Sequence, residues 1–501
     1  MDLRRLRELG PLLPLRIALF TILIAAATRT YADPDLWGHV LFGRDIVRQG
    51  GVHQADPYSF TSDRAWVNHE WLSEVVMYGA YAAAGARGLV LLRVLVVGLI
   101  AVLAVLHLRR LRSDAVMHDA SLALVLLGAY GQTSMVRPQL FSLLFFCLLL
   151  FVLMASPRQP RWLWAVPCLI GVWVNLHGGW LVGCATAGSW VLGMTIAGRH
   201  DRRYLITAAG AGILSAIALL ANPYGLRLLS FMFETVGFSR PDIIEWLPVY
   251  RLGAGVMVLW LLPIAFVVFV LVRAHRCGSL PRLLVLGMLG VMSFRVARLV
   301  GFLAIASVIL LRDELAAIAL ERSARPIPRS GQPMWPWLVA AVIGSVAIAK
   351  GVQNSQCIEL SSASDPEPSA VQFIRDQGLA GNAITYFNWG EYAIWHLHPE
   401  VRVSIDGRRE TVYSDAILAL HDSISRGEQP GLQFVDKLRP DFIWLPRELP
   451  GVDALQRNGW RVAFAGPTSV ILVTGIESAR PPFIVQRSDK AENATRCFPQ
   501  P

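Results

Sequence analysis

The chain has 501 residues, 54% of them hydrophobic and only 16% charged, with a formal net charge of +10. So apolar a composition excludes an ordinary soluble globule of this length and points to a polytopic membrane protein. The positive balance reads as basic cytoplasmic loops and contact with anionic lipid, and argues against nucleic acid binding.

Apolar runs recur at about 14–28, 88–107, 115–133, 140–155, 162–176, 180–197, 205–221, 255–272, 283–293, 299–311 and 335–349. Set against the roughly 20 residues needed to cross the hydrocarbon core, they predict about 11 transmembrane helices. Basic segments at 4–7, 109–112, 158–161, 199–203, 273–282 and 312–329 fall in every second loop. Such loops stay on the cytoplasmic side. The N-terminus is therefore expected in the cytoplasm, and an odd number of spans places everything after Lys350 in the periplasm of a bacterial inner membrane. The first run is followed by charged residues without a small-residue cleavage site, so no cleavable signal peptide is expected.

The first external loop, 31–71, is unusually polar for its position. Asp33 and Asp35 follow directly on the first apolar run. Asp33-Pro34 has the form of a helix start with proline at its first position. Leu36, Trp37, Val40 and Ile46 then give an apolar stripe suited to the membrane surface. A second helix is expected from near Asn68 through Trp71, Val75 and Tyr78, the two forming a compact lid joined by a turn-rich segment. Four short external turns are also polar: TSMVRPQ at 133–139, NLHGGW at 175–180, NPYGLR at 222–227 and SFRVAR at 293–298. The topology opens all four on the face of the first loop. Polar groups at membrane depth are costly and usually functional. A longer loop, 222–251, carries Glu234, Arg240, Asp242 and Glu245 among aromatics.

After residue 349 the apolar runs shorten to strand length. The pattern predicts helices at 366–377, 391–396, 415–425 and 431–438, and strands at 383–387, 402–405, 442–445, 461–465 and 469–474. This alternation implies a C-terminal periplasmic α/β domain. The expected organisation is a transmembrane domain over 1–349 that includes the first loop at 29–86, the α/β domain over 350–477, and a proline-rich, poorly ordered tail over 478–501. That tail contains an acceptor-type sequon, Asn493-Ala494-Thr495. Cys147, Cys168 and Cys184 read as packing residues within spans, and Cys277 as cytoplasmic. Cys357 and Cys497 bracket the external domain, where an oxidising compartment permits a disulfide.

Several residues can carry chemistry. Asp33 and Asp35 can deprotonate an acceptor hydroxyl or hold a divalent cation against a phosphate, while capping of the first-loop helix is compatible with either. In VNHEW, Glu70 can act as a further base and His69 can contact phosphate or sugar; a helix-start pair is the alternative. Arg137, Arg295 and Arg298 suit a phosphate head group because a guanidinium offers bidentate bonds and stays charged, although each can equally anchor a span end. Arg295 and Arg298, three apart, can clamp one group together. His177 can bond sugar or phosphate, or satisfy its own turn. In YFNWGEYAIWHLHP and the following VRVSIDGRRETVY, Trp389 and Tyr392 can stack on sugar rings while Glu391, Asp406 and Arg408 supply hydrogen bonds. Packing of a helix on a sheet explains the aromatics equally well. No CxxC pair and no HExxH occurs, so no structural zinc is expected.

Together these residues resemble the GT-C superfamily of integral-membrane glycosyltransferases, which place an acidic residue in the first external loop of a multi-span bundle and often carry an external C-terminal domain. Asp33 or Asp35 stands at the acidic position. A weaker similarity is to the oligosaccharyltransferase branch, whose WWDYG signature precedes a strand ending in aspartate; Phe387-Asn388-Trp389-Gly390 and Ile405-Asp406 stand there. Asn388 replaces the acid, so recognition of an Asn-x-Ser/Thr peptide does not carry over. The resemblance implies an inverting transfer of sugar from a polyprenyl-phosphate carrier to a glycan, lipid or protein acceptor on the periplasmic face. It leaves a divalent cation, Mg or Mn, compatible but not required. The rival readings are a transporter or flippase of lipid-linked glycans, which predicts charges deep within spans where only Arg93 stands out, and a non-catalytic glycan-binding assembly protein.

Overall fold

The computed structural model describes residues 13–108, 115–198, 201–236, 243–275, 278–323, 335–360, 365–474, 483–484 and 496–500. Outside these lie the basic segments 4–7 and 109–112, Arg240, Asp242, Cys277, the sequon and most of the tail. The chain divides into two compact units: Met1–Arg29 with Val90–Ser355, and Thr30–Leu89 with Gln356–Pro501. The first external loop is thus grouped with the C-terminal residues.

In the first unit, the apolar runs form helices at Leu13–Thr28, Ala115–Gly128, Gln139–Ala155, Ala165–Trp173, Trp180–Ile196, Arg202–Ala218, Ala254–Arg273, Leu280–Arg295, Val300–Leu310 and Trp335–Asn354. The remaining run, 88–107, belongs to a helix spanning Trp71–His107, whose backbone leaves helical geometry at Ala84 and Gly85. Trp71–His107, Ala254–Arg273 and Trp335–Asn354 are each long and apolar enough to cross a bilayer, and the protein is an integral membrane protein. Small residues permit close helix packing, since lipid tails offer no hydrophobic drive between helices. Ala340, Gly344, Ala347 and Gly351 form the buried stripe of Trp335–Asn354, which packs along Leu13–Thr28. A methyl on Gly351 would lie 3.5 Å from Ala25 Cα. Val300–Leu310 is buried on every side.

Arg93, 2% exposed, donates to Thr133 O at 2.6 Å, to Arg29 O at 3.1 Å and to Ala27 O. The last carbonyls of a helix have no intrahelical donor. The cation inside a span therefore serves the end of the first helix.

The second unit contains β1 (Thr30–Tyr31), β2 (Ile358–Glu359), β3 (Gly381–Thr385), β4 (Val401–Val403), β5 (Phe442–Pro446), β6 (Arg461–Ala465), β7 (Ser469–Val473) and β8 (Phe483–Ile484). β1 and β2 form a parallel pair. The other six form one sheet in the order β4-β3-β5-β7-β6-β8, with β4-β3-β5 parallel and β5-β7-β6 antiparallel. Helices at Pro368–Asp376, Gly390–Leu397, Asp415–Arg426, Gln429–Leu438 and Pro450–Arg457 complete an α/β arrangement. Pro450–Arg457 is absent from the sequence-based expectation because its apolar positions are few and it starts in a turn-like Leu-Pro-Gly.

The first-loop helix, Leu36–Gln49, has an apolar face made of Leu36, Trp37, Val40, Leu41, Phe42 and Ile46, all buried. The sequence suggested that this stripe faces the membrane surface; it is covered by protein instead. Trp37 packs on Tyr392 at 5.0 Å, Trp395 at 5.8 Å, His396 at 5.1 Å and Phe498 at 4.6 Å between ring centroids. Aromatic pairs of this kind contribute beyond their buried area. Further along the loop, Val403 N–H donates to Tyr58 O at 3.0 Å and Phe60 N–H to Val403 O at 3.1 Å, so the loop covers the otherwise open edge of β4.

Cys357 and Cys497 form a disulfide across a separation of 140 residues, reinforced by Leu360 N–H to Arg496 O at 2.9 Å and Phe498 N–H to Ile358 O at 3.0 Å. Replacing Cys357 by Ser is expected to destabilise the second unit by about 2–5 kcal/mol. Thermal unfolding followed with and without reductant checks this: the wild type should lose stability on reduction and the variant should not respond.

Candidate functional site

Two polar groupings hold the residues singled out from the sequence, one in each unit. In the second unit the organising element is Arg408. Its guanidinium binds Asp56 at 2.6 and 3.0 Å and Asp406 at 2.8 and 2.6 Å, and lies 4.7 Å from the Trp66 ring centroid and 5.2 Å from that of Phe42. Tyr413 donates to Asp406 Oδ2 at 2.8 Å. Burial works against the guanidinium's charge, but Asp406 and Asp56 outweigh it and hold Arg408 well above the usual arginine range. Asp406 and Arg408, candidates for contacting an acceptor, are therefore committed to a buried network.

This network positions a set of carboxyl groups. Gly407 follows Asp406, and a methyl there would sit 2.1 Å from Asp35 Oδ1 and 3.1 Å from Glu391 Oε1. The two carboxyl groups thus converge on bare backbone. Glu391, 3% exposed, accepts the Gly38 N–H at 3.0 Å through Oε2; a side chain at residue 38 would displace it. Burial pushes the Glu391 carboxyl well above the usual range, and Asp35 and Asp406 push it further, against Arg408. Its environment favours the protonated form over the ionised one.

Asp33 and Asp35 separate in role. Asp33, 1% exposed, accepts the Asp35 N–H at 2.8 Å and fixes the turn that leads into the helix. Asp35 makes no side-chain cap bond and is half-buried. One turn on, His39 Nδ1 meets Glu74 Oε1 at 3.3 Å, and Glu74 Oε2 accepts from Asn68 at 2.6 Å. Burial opposes charge on His39, yet Glu74, Glu70 and Asp35 together raise it above the ordinary histidine value. Glu70 N–H donates to Asn68 Oδ1 at 3.2 Å, and its carboxylate lies 3.6 Å from His69 Nε2. Sequence reasoning missed His39 and Glu74. The available signal was spacing, four residues from Asp35 and from Glu70 respectively, which puts each pair on one helical face.

Trp389 and Tyr392 are 3% and 1% exposed. They pack on Trp444 at 5.8 and 6.1 Å, so both belong to the core between helix and sheet. As for a divalent cation, among the described residues no group of three or more His, Cys, Asp or Glu is disposed to hold one.

In the first unit, Glu245, on the short turn Ile244–Trp246, receives Arg137 at 3.0 and 3.1 Å and Arg298 at 3.3 Å. Arg298 Nη2 lies 3.2 Å from His177 Nε2, whose Nδ1 is 2.8 Å from Ser142 Oγ. Arg137, His177 and Arg298 are brought together. Arg295 is exposed at the end of its helix, apart from the Glu245 contacts that engage Arg298.

No family model matches the chain, and no curated protein does. Solved structures share its fold. The Archaeoglobus fulgidus oligosaccharyltransferase in its apo form matches over 93% of this chain and 75% of its own, with a TM-score of 0.57 at 11% identity. The AglB oligosaccharyltransferase of the same organism, in complex with an inhibitory peptide and a dolichol-phosphate, matches over 86% and 69%, with a TM-score of 0.57 at 12% identity. ArnT from Cupriavidus metallidurans, bound to undecaprenyl phosphate, matches over 94% and 99%, with a TM-score of 0.52 at 15% identity. The chain has the fold of the GT-C membrane glycosyltransferases.

The raised Glu391 carboxyl has a defined pH signature. A group whose folded value exceeds its unfolded one favours folding below the unfolded value, near 4.5, and loses that contribution as pH rises towards the folded value. Glu391→Gln should therefore match the wild type in acid and gain relative stability as pH rises above about 4.5. Melting temperatures of both proteins across pH 4–8 decide the matter; parallel curves would show an ionised Glu391.

Proposed function

We propose that the protein is a GT-C glycosyltransferase that transfers a sugar from a polyprenyl-phosphate carrier to a glycan, lipid or protein acceptor on the periplasmic face of a bacterial inner membrane. The observation that carries the reading is an accessible carboxylate, Asp35, directly after the first apolar helix of a chain that has this fold along nearly its whole length. The two neighbours bound to dolichol-phosphate and undecaprenyl phosphate support a lipid-phosphate donor. About eleven spans, a cytoplasmic N-terminus and a periplasmic second unit follow from the alternation of basic loops, and the Cys357–Cys497 disulfide suits an oxidising compartment.

Asp35 is the base and Asp33 fixes the backbone that carries it. The acceptor hydroxyl oxygen attacks the anomeric carbon from the face opposite the phosphate. Its proton passes to the Asp35 carboxylate, the new C–O bond forms as the bond to phosphate breaks, and the anomeric configuration inverts. The carrier leaves with the bonding electron pair as polyprenyl phosphate. Within the first unit, Arg137 and Arg298, with His177 beside Arg298, are the cationic grouping suited to a phosphate head group. Glu70 and His69 flank the acid as polar contacts for sugar or phosphate, and Arg295 offers a further exposed cation. In the α/β domain, Trp389, Glu391, Tyr392, Asp406 and Arg408 shape the acceptor side from beneath, as the buried support of its surface.

Release of carrier phosphate from a polyprenyl-linked sugar tests the reading on purified protein. Asp35→Asn should lower turnover by about 10²- to 10⁴-fold, the usual worth of a general base, and Asp33→Asn by less. Full activity in Asp35→Asn, or none in the wild type with any donor, would overturn the proposal. Gly407→Ala should lower activity through displacement of the Asp35 carboxylate while the protein still folds; an unaltered rate would place the reaction away from this carboxyl pair.

A further inference from the structure

Glu245 has no role in the reaction above, yet it occupies the centre of the cationic grouping. Arg137 and Arg298 both point at its carboxylate. The three side chains are 21%, 22% and 29% exposed for Arg137, Arg298 and Glu245 respectively, partly withdrawn from water, so their mutual charges are incompletely screened. The turn bearing Glu245 is also tied in place. Ala297 N–H donates to Leu247 O at 3.2 Å, and the Arg298 guanidinium lies 5.7 Å from the Trp246 ring centroid. Backbone bonding and ring stacking directly after Glu245 hold the turn that carries its carboxylate.

Among the described residues, the two guanidiniums and the one carboxylate paired with them sum to a single positive charge. A sugar joined to its carrier through one phosphate is a phosphodiester with one negative charge. A sugar joined through a diphosphate brings two. We propose that Glu245 sets the charge of the Arg137–Arg298 site so that it takes a singly charged phosphodiester donor and discriminates against a diphosphate-linked one. The inference rests on the assignment of this grouping to the carrier phosphate, and its test separates the two.

The experiment measures binding of two radiolabelled probes, polyprenyl methyl phosphate and the methyl ester of polyprenyl diphosphate, to the full-length protein in nanodiscs. The wild type should bind the first about ten-fold more tightly, and Glu245→Gln, which keeps the shape and removes the charge, should narrow the preference to about three-fold or less. Arg298→Ala should weaken both probes. Equal or tighter binding of the diphosphate by the wild type, or an unchanged ratio in Glu245→Gln, would overturn the role of Glu245 alone. Absence of binding by the wild type, or undiminished binding of both probes by Arg298→Ala, would remove the carrier-phosphate assignment and the charge argument with it. Melting curves of each variant confirm that folded protein is compared.

Discussion

Arg408 is buried with its charge intact, and that is possible only because two carboxylates are buried with it. An isolated ion in a protein interior is strongly disfavoured, so Asp56 from the first loop and Asp406 from the end of a strand segment are held against the guanidinium by the cost of leaving any of the three unpaired. The pairing joins residues 352 positions apart in the chain. Phe42, Tyr58 and Trp66 enclose the guanidinium with their rings, all three from the first loop. What looks in the chain like an insertion between two spans is thereby made a structural part of the α/β unit.

The placement of the carboxyl groups follows from that pairing. Asp406 is flanked by Gly407, against which Asp35 and Glu391 meet, and Gly390 packs so closely on Ile405 O and Asp406 that it admits no side chain. Glu391 is thus drawn under the start of the first-loop helix, where the Gly38 N–H binds it. Burial beside other acids raises its carboxyl above the usual range, and Asp35 is the partly accessible acid of the pair. The grouping in the first unit has the opposite electrostatic logic. There, among the described residues, two guanidiniums share the Glu245 carboxylate.

The comparisons show how little identity this architecture requires. At 11–15% identity the fold is retained over most of each chain, because helix packing asks for small residues at close approaches and apolar side chains elsewhere, a demand that many sequences meet. The segment standing at the place of the WWDYG signature, 387–390, forms a short 3-10 turn that leads into Gly390–Leu397. Its tryptophan is turned into the core.

The amino-acid sequence by itself determined the membrane class, the apolar helices and nearly every helix and strand of the C-terminal domain, because hydrophobic period and turn residues are local properties of the chain. The strands 442–445 and 461–465 and the helix 415–425 are read from sequence to within a residue or so of their observed bounds. It also identified the acids of the first loop, since charge beside an apolar run is visible without any fold. Only the tertiary structure decided what each polar residue does. Trp37 reads as a membrane-facing residue until its partners Tyr392, Trp395 and Phe498 arrive from more than 350 positions away. Asp406 and Arg408 read as ligands for an acceptor until Asp56 closes the network around them. Whether a charged side chain is exposed, capped or paired depends on contacts between distant segments, and these contacts are set by packing that no local pattern contains. For that reason the sequence named Asp33 and Asp35 together, and the fold alone distinguished the buried Asp33 from the half-buried Asp35.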